Sequence, residues 1–242
     1  MKLYYDMHIH SCLSPCADND MLPADIAGMG ALNGLNVMAL TDHNSCENCP
    51  PFFEACEFYG IIPIAGMELT TAEDIHIVCL FRDLGSAMEF SDFVYDRILP
   101  INNNPKIFGD QIVADTDGQT VRTVERLLIS ATDIPVDEVP ALIKRFGGIC
   151  YPAHIDRESN GIISILGDIP PEPGFTSAEL HDNSRIDEYK GNYPITENYT
   201  FVSSSDAHSL SAINTDINCF EFDEEFDNNK AVIDRIFALL SE

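Results

Sequence analysis

Four short clusters of histidine with carboxylate or hydroxyl neighbours punctuate this chain, and they restrict the folds open to it more than any other feature. They read Asp6-Met7-His8-Ile9-His10-Ser11, Thr41-Asp42-His43-Asn44, Pro152-Ala153-His154-Ile155-Asp156 and Ser205-Asp206-Ala207-His208. Each sits at the end of an apolar, strand-like run. Imidazole and carboxylate together form the ligand set of borderline divalent metals such as Zn, Mn or Fe(II). A single such histidine is more often a satisfied core or surface group. Four clusters between residues 8 and 208 point instead to a fold that gathers strand ends around a polynuclear metal site.

The pattern between the clusters supports such a fold. Strand-like runs at Leu3–His10, Asn36–Thr41, Ile61–Met67, Ile75–Phe81, Gly148–Ala153, Ser177–His181 and Phe201–Ser205 alternate with helix-like runs. The helical runs cover Pro23–Asn33, residues 51–59, Gly85–Ile98, Val136–Phe146 and Ala231–Leu240. This βαβα rhythm predicts a parallel sheet, as a barrel or a doubly wound sheet. Residues 101–132 break it. Asn102-Asn103-Asn104-Pro105 is loop chemistry, and Asp117-Gly118 is a hairpin signal between Gln111–Ala114 and Gln119–Thr123. An insertion is expected here, as a lid beside the active site or as a plain surface excursion.

Side chains two apart on a strand share a face. His8 and His10 are therefore expected on one side with Asp6 and Tyr4, opposite Leu3, Tyr5 and Met7. Asp206 and His208 repeat the spacing. In β/α barrels the catalytic groups collect at the C-terminal ends of the strands, where these clusters fall.

With these motifs in order, the chain resembles the PHP (polymerase and histidinol phosphatase) family. The matching segments are His8-x-His10-Ser11, Thr41-Asp42-His43-Asn44, Gly66-Met67-Glu68-Leu69-Thr70, His76 in Asp74-Ile75-His76-Ile77-Val78, Pro152-Ala153-His154 and Ser205-Asp206-Ala207-His208. The resemblance implies a single domain over residues 1–242, a distorted (β/α)7 TIM-like barrel with the small insertion at 101–132. It implies two to three divalent metals (Zn, Mn or Fe). His8, His10, Glu68 and Asp206 would hold the first. Glu68 would bridge to a second, held also by His76 and His154. His43, His208 and a carboxylate of the loop after the first strand would take the third; that loop is longer than the family's usual Ser-Asp-Gly, and Asp18 is the preferred ligand with Asp20 the alternative. Without the resemblance, Glu68 reads as a loop glutamate and His76 as a buried structural histidine.

The implied activity is hydrolysis of small phosphoesters, a phosphomonoester or a nucleotide bisphosphate, in a cytoplasmic enzyme. Adjacent metals lower the pKa of a shared water and stabilise charge on phosphoryl oxygens. Glu68, Asp206 and His208 are the candidate catalytic residues, with Asp206 or His208 passing a proton to the leaving group. Arg157 is a candidate phosphate contact and His181 a candidate substrate contact. Arg185 and Lys190 are weaker candidates. Two rival readings stand beside this one: a non-catalytic, polymerase-type PHP module, and a metal hydrolase of C–N or lactone bonds.

Composition narrows the partners. Forty acidic against 13 basic residues give a net charge of -27, which opposes binding to long nucleic acid or an anionic membrane. A small phosphorylated metabolite remains compatible, because metals create a local positive field. Neither an export signal nor a membrane span is visible in the sequence, so the eight cysteines read as thiols rather than a disulfide framework. Cys12, Cys16, Cys46 and Cys49 follow two of the metal motifs and raise the prospect of a separate thiolate or redox site. The acidic run Glu221–Asp227 reads as a solvated loop.

Overall fold

The computed structural model describes residues 1–241. Its strands are β1 (Lys2–Asp6), β2 (Val37–Leu40), β3 (Ile62–Thr70), β4 (His76–Phe81), β5 (Ile112–Ala114), β6 (Thr120–Thr123), β7 (Ile149–Pro152), β8 (Ser177–Glu179), β9 (Thr200–Val202) and β10 (Cys219–Glu221). Its α-helices are α1 (Pro23–Leu32), α2 (Cys49–Tyr59), α3 (Leu84–Tyr95), α4 (Pro105–Phe108), α5 (Val139–Arg145), α6 (Ile162–Leu166), α7 (Ile186–Asn192) and α8 (Asn229–Ser241). Local chemistry sets several of these limits. Prolines open α1 and α2, where the missing N–H is not needed. Gly60 ends α2 in the left-handed region at φ 74°.

The strands form a distorted barrel. Six pair in the order β10-β1-β2-β3-β4-β7, curling into a half-barrel, and β8 pairs with β9. The wall continues from β7 to β8, where the Ile155 N–H past the end of β7 donates to the Glu179 carbonyl at 2.8 Å. A parallel bridge between Ile9 and Ala207 joins the extensions of β1 and β9. Two strands of the six, β4 and the edge strand β10, depart from the expected parallel sheet. β4 runs antiparallel to both β3 and β7, with Thr70 opposite His76. The connection from β3 to β4 is too short for a helical crossover, so the chain turns back as a hairpin. This reversal has a direct consequence: the beginning of β4, at His76, lies level with the ends of its neighbours.

Alternation along the strands divides the core in two. Tyr5, Val37, Ala39, Ile64, Val78 and Tyr151 face the barrel interior, where Val232, Ile236 and Phe237 of α8 pack against them. Met38, Leu40, Met67 and Ile77 point outward to a layer that includes Ile26 of α1, Phe52 of α2, Phe90 of α3 and Ile143 of α5. β10 was not foreseen. It pairs antiparallel with β1 and buries Phe220 and Phe222, so the run beginning at Glu221 is a solvated loop only in part.

The insertion contains the expected hairpin, β5 and β6 around Gly118 at φ 74°. It packs against the loop after β1 rather than over the barrel mouth. The Ile112 N–H donates to the Cys12 carbonyl at 2.8 Å, and Asn48 bonds both Ile112 and Ala114. Buried Gln111 donates to the carbonyls of Val124 and Arg126 and accepts from the Leu128 N–H. Among the described residues, no helix is long and apolar enough to cross a membrane.

Candidate metal centre

At the barrel end where β1, β2, β3, β7 and β9 terminate and β4 begins, five histidines surround one carboxylate and a sixth, His208, stands at the rim. Glu68, 1% exposed, stands on the inward face of β3. Its Oε1 lies 3.2 Å from His8 Nε2, 2.9 Å from His76 Nδ1 and 3.1 Å from His154 Nε2. Its Oε2 lies 3.4 Å from His10 Nε2 and 3.0 Å from His43 Nδ1. Asp206 Oδ1 lies 3.1 Å from His10 Nε2 and 3.5 Å from His8 Nε2. The ring of His208, half-exposed at the rim, stacks on that of His10 with centroids 4.3 Å apart.

Strand phase puts His8 and His10 together, though not by simple alternation. β1 ends at Asp6 rather than His10. Met7 remains in the interior cluster with Leu3 and Tyr5, while Ile9 packs with the outer layer. Asp6 does not join the histidines: its carboxylate accepts the N–H groups of Ser205 and Asn214 at 3.0 and 3.1 Å. It ties the end of β1 to the loop after β9.

A layer of hydrogen bonds orients the rings, as outer partners do around metals. His8 Nδ1 lies 3.0 Å from buried Glu179 Oε2. His10 Nδ1 lies 3.0 Å from Ser14 Oγ, which in turn donates to Asp42 at 2.7 Å. His208 Nδ1 donates to the Asp206 carbonyl at 2.8 Å. These bonds turn the Nδ1 atoms of all three rings away from the cluster and point each Nε2 into it. The backbone is strained at two of the site residues. His154 has φ 28° and Asp206 φ 51°, a region costly for residues with a side chain.

Electrostatics reinforce the arrangement. Burial would raise the Glu68 carboxyl, but His76 and His8 hold it well below the usual carboxylate range. Burial is likewise outweighed at Asp206 by His8 and the bond from His10, and its carboxyl is lowered. His8 moves well above the ordinary histidine value: burial opposes this, but Glu179, Glu68 and Asp206 prevail. Burial pushes His43 well below that value, and burial with His10 brings His208 down to about 4. Both are thus neutral near pH 7, the form that ligates metal.

The donor set fits divalent cations. Ligand atoms of His8, His10 and Glu68 lie within 4.8 Å of one another, as do those of His43, Glu68 and His76, and those of His10, His43 and His208. His43 Nδ1 is buried and lacks an aligned hydrogen-bond partner despite its closeness to Glu68. A buried ring nitrogen 3.0 Å from a carboxylate oxygen but without hydrogen-bond alignment to it suits a shared cation. Asp18 and Asp20 are both exposed and lie outside these three groups. The Asp18 backbone N–H donates to the His208 carbonyl at 2.9 Å.

A cavity of about 170 Å³ opens onto the cluster, lined by His43, Glu68, His76, His154, Arg157 and Asp206 among others. Arg157 pairs with Asp206, and its second nitrogen lies 3.0 Å from His181 Nδ1. No residue of the insertion lines this cavity. The four cysteines singled out by their spacing do not converge. Cys46 and Cys49 share the Gly66 carbonyl beneath β3, Cys12 contacts Ile112, and Cys16 is exposed. Arg185 is occupied by Glu188 through two contacts of 2.9 Å, and Lys190 lies over the Phe201 ring.

Glu179 and Ser14 were not anticipated as parts of the site. Glu179 had a signal, a carboxylate inside the apolar run Ala178-Glu179-Leu180, which the neighbouring His181 obscured. Ser14 had none, because its role depends on a loop that only tertiary contacts shape.

The description of the PHP domain matches residues 6–156. The chain therefore belongs to the PHP domain family. A segment of 77 residues is 34% identical to an error-prone DNA polymerase of Symbiobacterium thermophilum, covering 32% of this chain and 7% of that protein. A lesion-specific endonuclease of Pyrococcus furiosus superposes with a TM-score of 0.68 at 17% identity, covering 100% of this chain and 56% of the endonuclease. A protein of Bifidobacterium adolescentis assigned as a metal-dependent phosphoesterase superposes with a TM-score of 0.62 at 16% identity, covering 96% and 94%. The chain thus spans a small part of the polymerase and little over half of the endonuclease. The structural likenesses establish the fold. Family membership and the His/Glu cluster together support a metal-dependent hydrolase. Two of these relatives carry the names of DNA enzymes, which the charge argument against long nucleic acid did not anticipate.

Proposed function

We propose that this chain is a metal-dependent phosphoesterase acting on a small phosphorylated metabolite. The observation that carries the reading is the single Glu68 carboxylate placed within 3.4 Å of five histidine rings, beside a small cavity that also holds an arginine. His8, His10, Glu68 and Asp206 would hold one cation, and Glu68, His76 and His154 a second. His43 also reaches the second group, and with His10 and His208 it forms a third. Asp18 would complete that third site by turning its exposed carboxylate inward. Bound metals would supply Lewis acidity toward a phosphoryl oxygen and a water nucleophile at neutral pH.

The protein's own groups supply the rest. Arg157 lines the cavity and is suited to grip a non-bridging phosphoryl oxygen once substrate displaces part of its pairing with Asp206. Glu179 and Ser14 hold the His8 and His10 rings with Nε2 facing inward. The leaving oxygen's proton would pass through Asp206 or His208, which Asp206→Asn and His208→Gln variants separate. His181 is exposed and acts on substrate through Arg157 or by direct contact. The net charge of -27 favours a small substrate over duplex nucleic acid, and eight free thiols suit a reducing, cytoplasmic setting.

Elemental analysis paired with p-nitrophenyl phosphate hydrolysis, in wild type and His8→Ala, tests the reading. Bound divalent metal with activity that the variant loses is the expected result. Metal without phosphate release, and turnover of a lactone or amide instead, would transfer the site to the rival chemistry.

A further inference from the structure

The insertion lends no residue to the cavity at the cluster, yet it meets the metal centre from behind through two buried asparagines. Asn48 is fully buried and stands immediately before α2. An asparagine there ordinarily caps the helix with its side chain, but this one makes no such bond. Its amide is turned elsewhere and fully occupied. The nitrogen donates to Ser11 Oγ at 2.9 Å and to the Ile112 carbonyl of β5 at 3.0 Å, and the oxygen accepts the Ala114 N–H at 3.0 Å. A local rule given up in this way marks a side chain with a tertiary task.

From Ser11 the contacts run on to the metal centre. Ser11 Oγ donates to Asp42 Oδ2 at 2.6 Å, Ser14 Oγ donates to Asp42 Oδ1 at 2.7 Å, and His10 Nδ1 lies 3.0 Å from Ser14 Oγ. Ser14 Oγ also accepts the His43 N–H at 3.1 Å. Ser11, Ser14, Asp42 and Asn48 are each 1% exposed or less. A buried chain of satisfied polar groups fixes its members, because displacing one leaves another unpaired in a medium of low dielectric.

The second asparagine works on the other side. Asn44 follows His43; its backbone N–H donates to the Glu68 carbonyl at 3.0 Å, and its side-chain oxygen accepts the Thr70 N–H at 2.9 Å. Its amide nitrogen donates to the Leu128 and Ser130 carbonyls of the insertion at 2.6 and 2.9 Å. The insertion thus reaches His10 and Glu68 by two separate routes.

We propose that the insertion is a brace for the metal centre, and that Asn48 is the positioning residue through which the β5–β6 hairpin fixes His10. It is neither a lid nor a plain surface excursion. The inference rests on the metal-centre part of the reading above and is independent of which bond is hydrolysed.

Zinc affinity, measured by competition with a chromophoric chelator, and the visible spectrum of the cobalt-loaded protein test it. The set is wild type, Asn48→Ala, Ser11→Ala, the double variant and Val113→Ala. Val113 is a buried apolar residue of the hairpin, so its variant loosens the insertion and leaves the chain of bonds in place. Asn48→Ala and Ser11→Ala should each weaken zinc binding by about tenfold and shift the cobalt bands. The double variant should fall short of the product of the two, because both changes cut one path. Val113→Ala should lower the thermal midpoint and keep zinc affinity within about twofold. If Asn48→Ala does not fold, Ser11→Ala decides, since it cuts the same path without touching the hairpin. Unchanged affinity in Ser11→Ala, full additivity, or an equal loss in Val113→Ala would overturn the brace and leave the metal centre standing. A wild type that binds no cation would overturn the metal-centre reading and the brace with it.

Discussion

Glu68 occupies a position where no neutral residue of its size can serve equally well. Its two oxygens face five imidazoles, so Glu68→Gln removes a charge that helps balance buried His8 and the carboxylate that would be shared between two cations. The variant is expected to lose most of its bound metal by elemental analysis; unchanged metal content would remove Glu68 from the ligand set. Glu179 acts one step further out, through His8 Nδ1. Glu179→Gln should weaken metal binding by about 10–100-fold in a competitive titration while the folded spectrum persists. The two residues were not equally legible. Glu68 was found through motif order, whereas Glu179 sits in a three-residue strand whose inward face is defined only by barrel closure. His8 and His10 were legible from spacing, although the strand that was expected to align them stops at Asp6. Arg157, read from the sequence as a phosphate contact, pairs with Asp206 at the edge of the cavity.

At the level of elements, the reversal of β4 decides how the site is built. A parallel β4 would carry His76 to the far end of the barrel; the hairpin with β3 returns it to Glu68. Helix α8 closes the opposite end. Phe237, fully buried, packs into the interior core with the Arg82 guanidinium 4.7 Å above its ring. Phe237→Ala should cost about 3–5 kcal/mol, seen as a lower denaturation midpoint with an unchanged m-value. A change below about 1 kcal/mol would mean that α8 is not a structural plug. Periodicity revealed the long helices and the β5–β6 hairpin because their patterns are local. It did not reveal β10, whose three residues gain strand character from pairing with β1. Nor did it show where the insertion packs, since the bonds from Gln111 and Asn48 reach residues distant in sequence.

Across the whole molecule, the acidic charge and the metal centre set the solution behaviour. Three divalent cations would offset six of the 27 excess negative charges, and a cation bound only by the folded state stabilises it by mass action. Chelation is therefore expected to lower the thermal midpoint by roughly 5–10 °C per ion held at about hundredfold saturation; an unchanged midpoint would show that the cluster folds without metal. Fluorescence anisotropy should detect no affinity for duplex DNA at physiological salt, and micromolar binding there would reopen a nucleic-acid substrate. The sequence by itself determined the ligand types, their order along the chain and the alternating α/β architecture, because side-chain chemistry and short-range periodicity are written locally. Only the tertiary structure decided the direction of β4, the placement of Glu179 and Ser14 behind the histidines, the separation of the cysteines and the polar cavity next to Arg157. Each of these depends on which distant segments meet when the barrel closes, and no local pattern encodes that meeting.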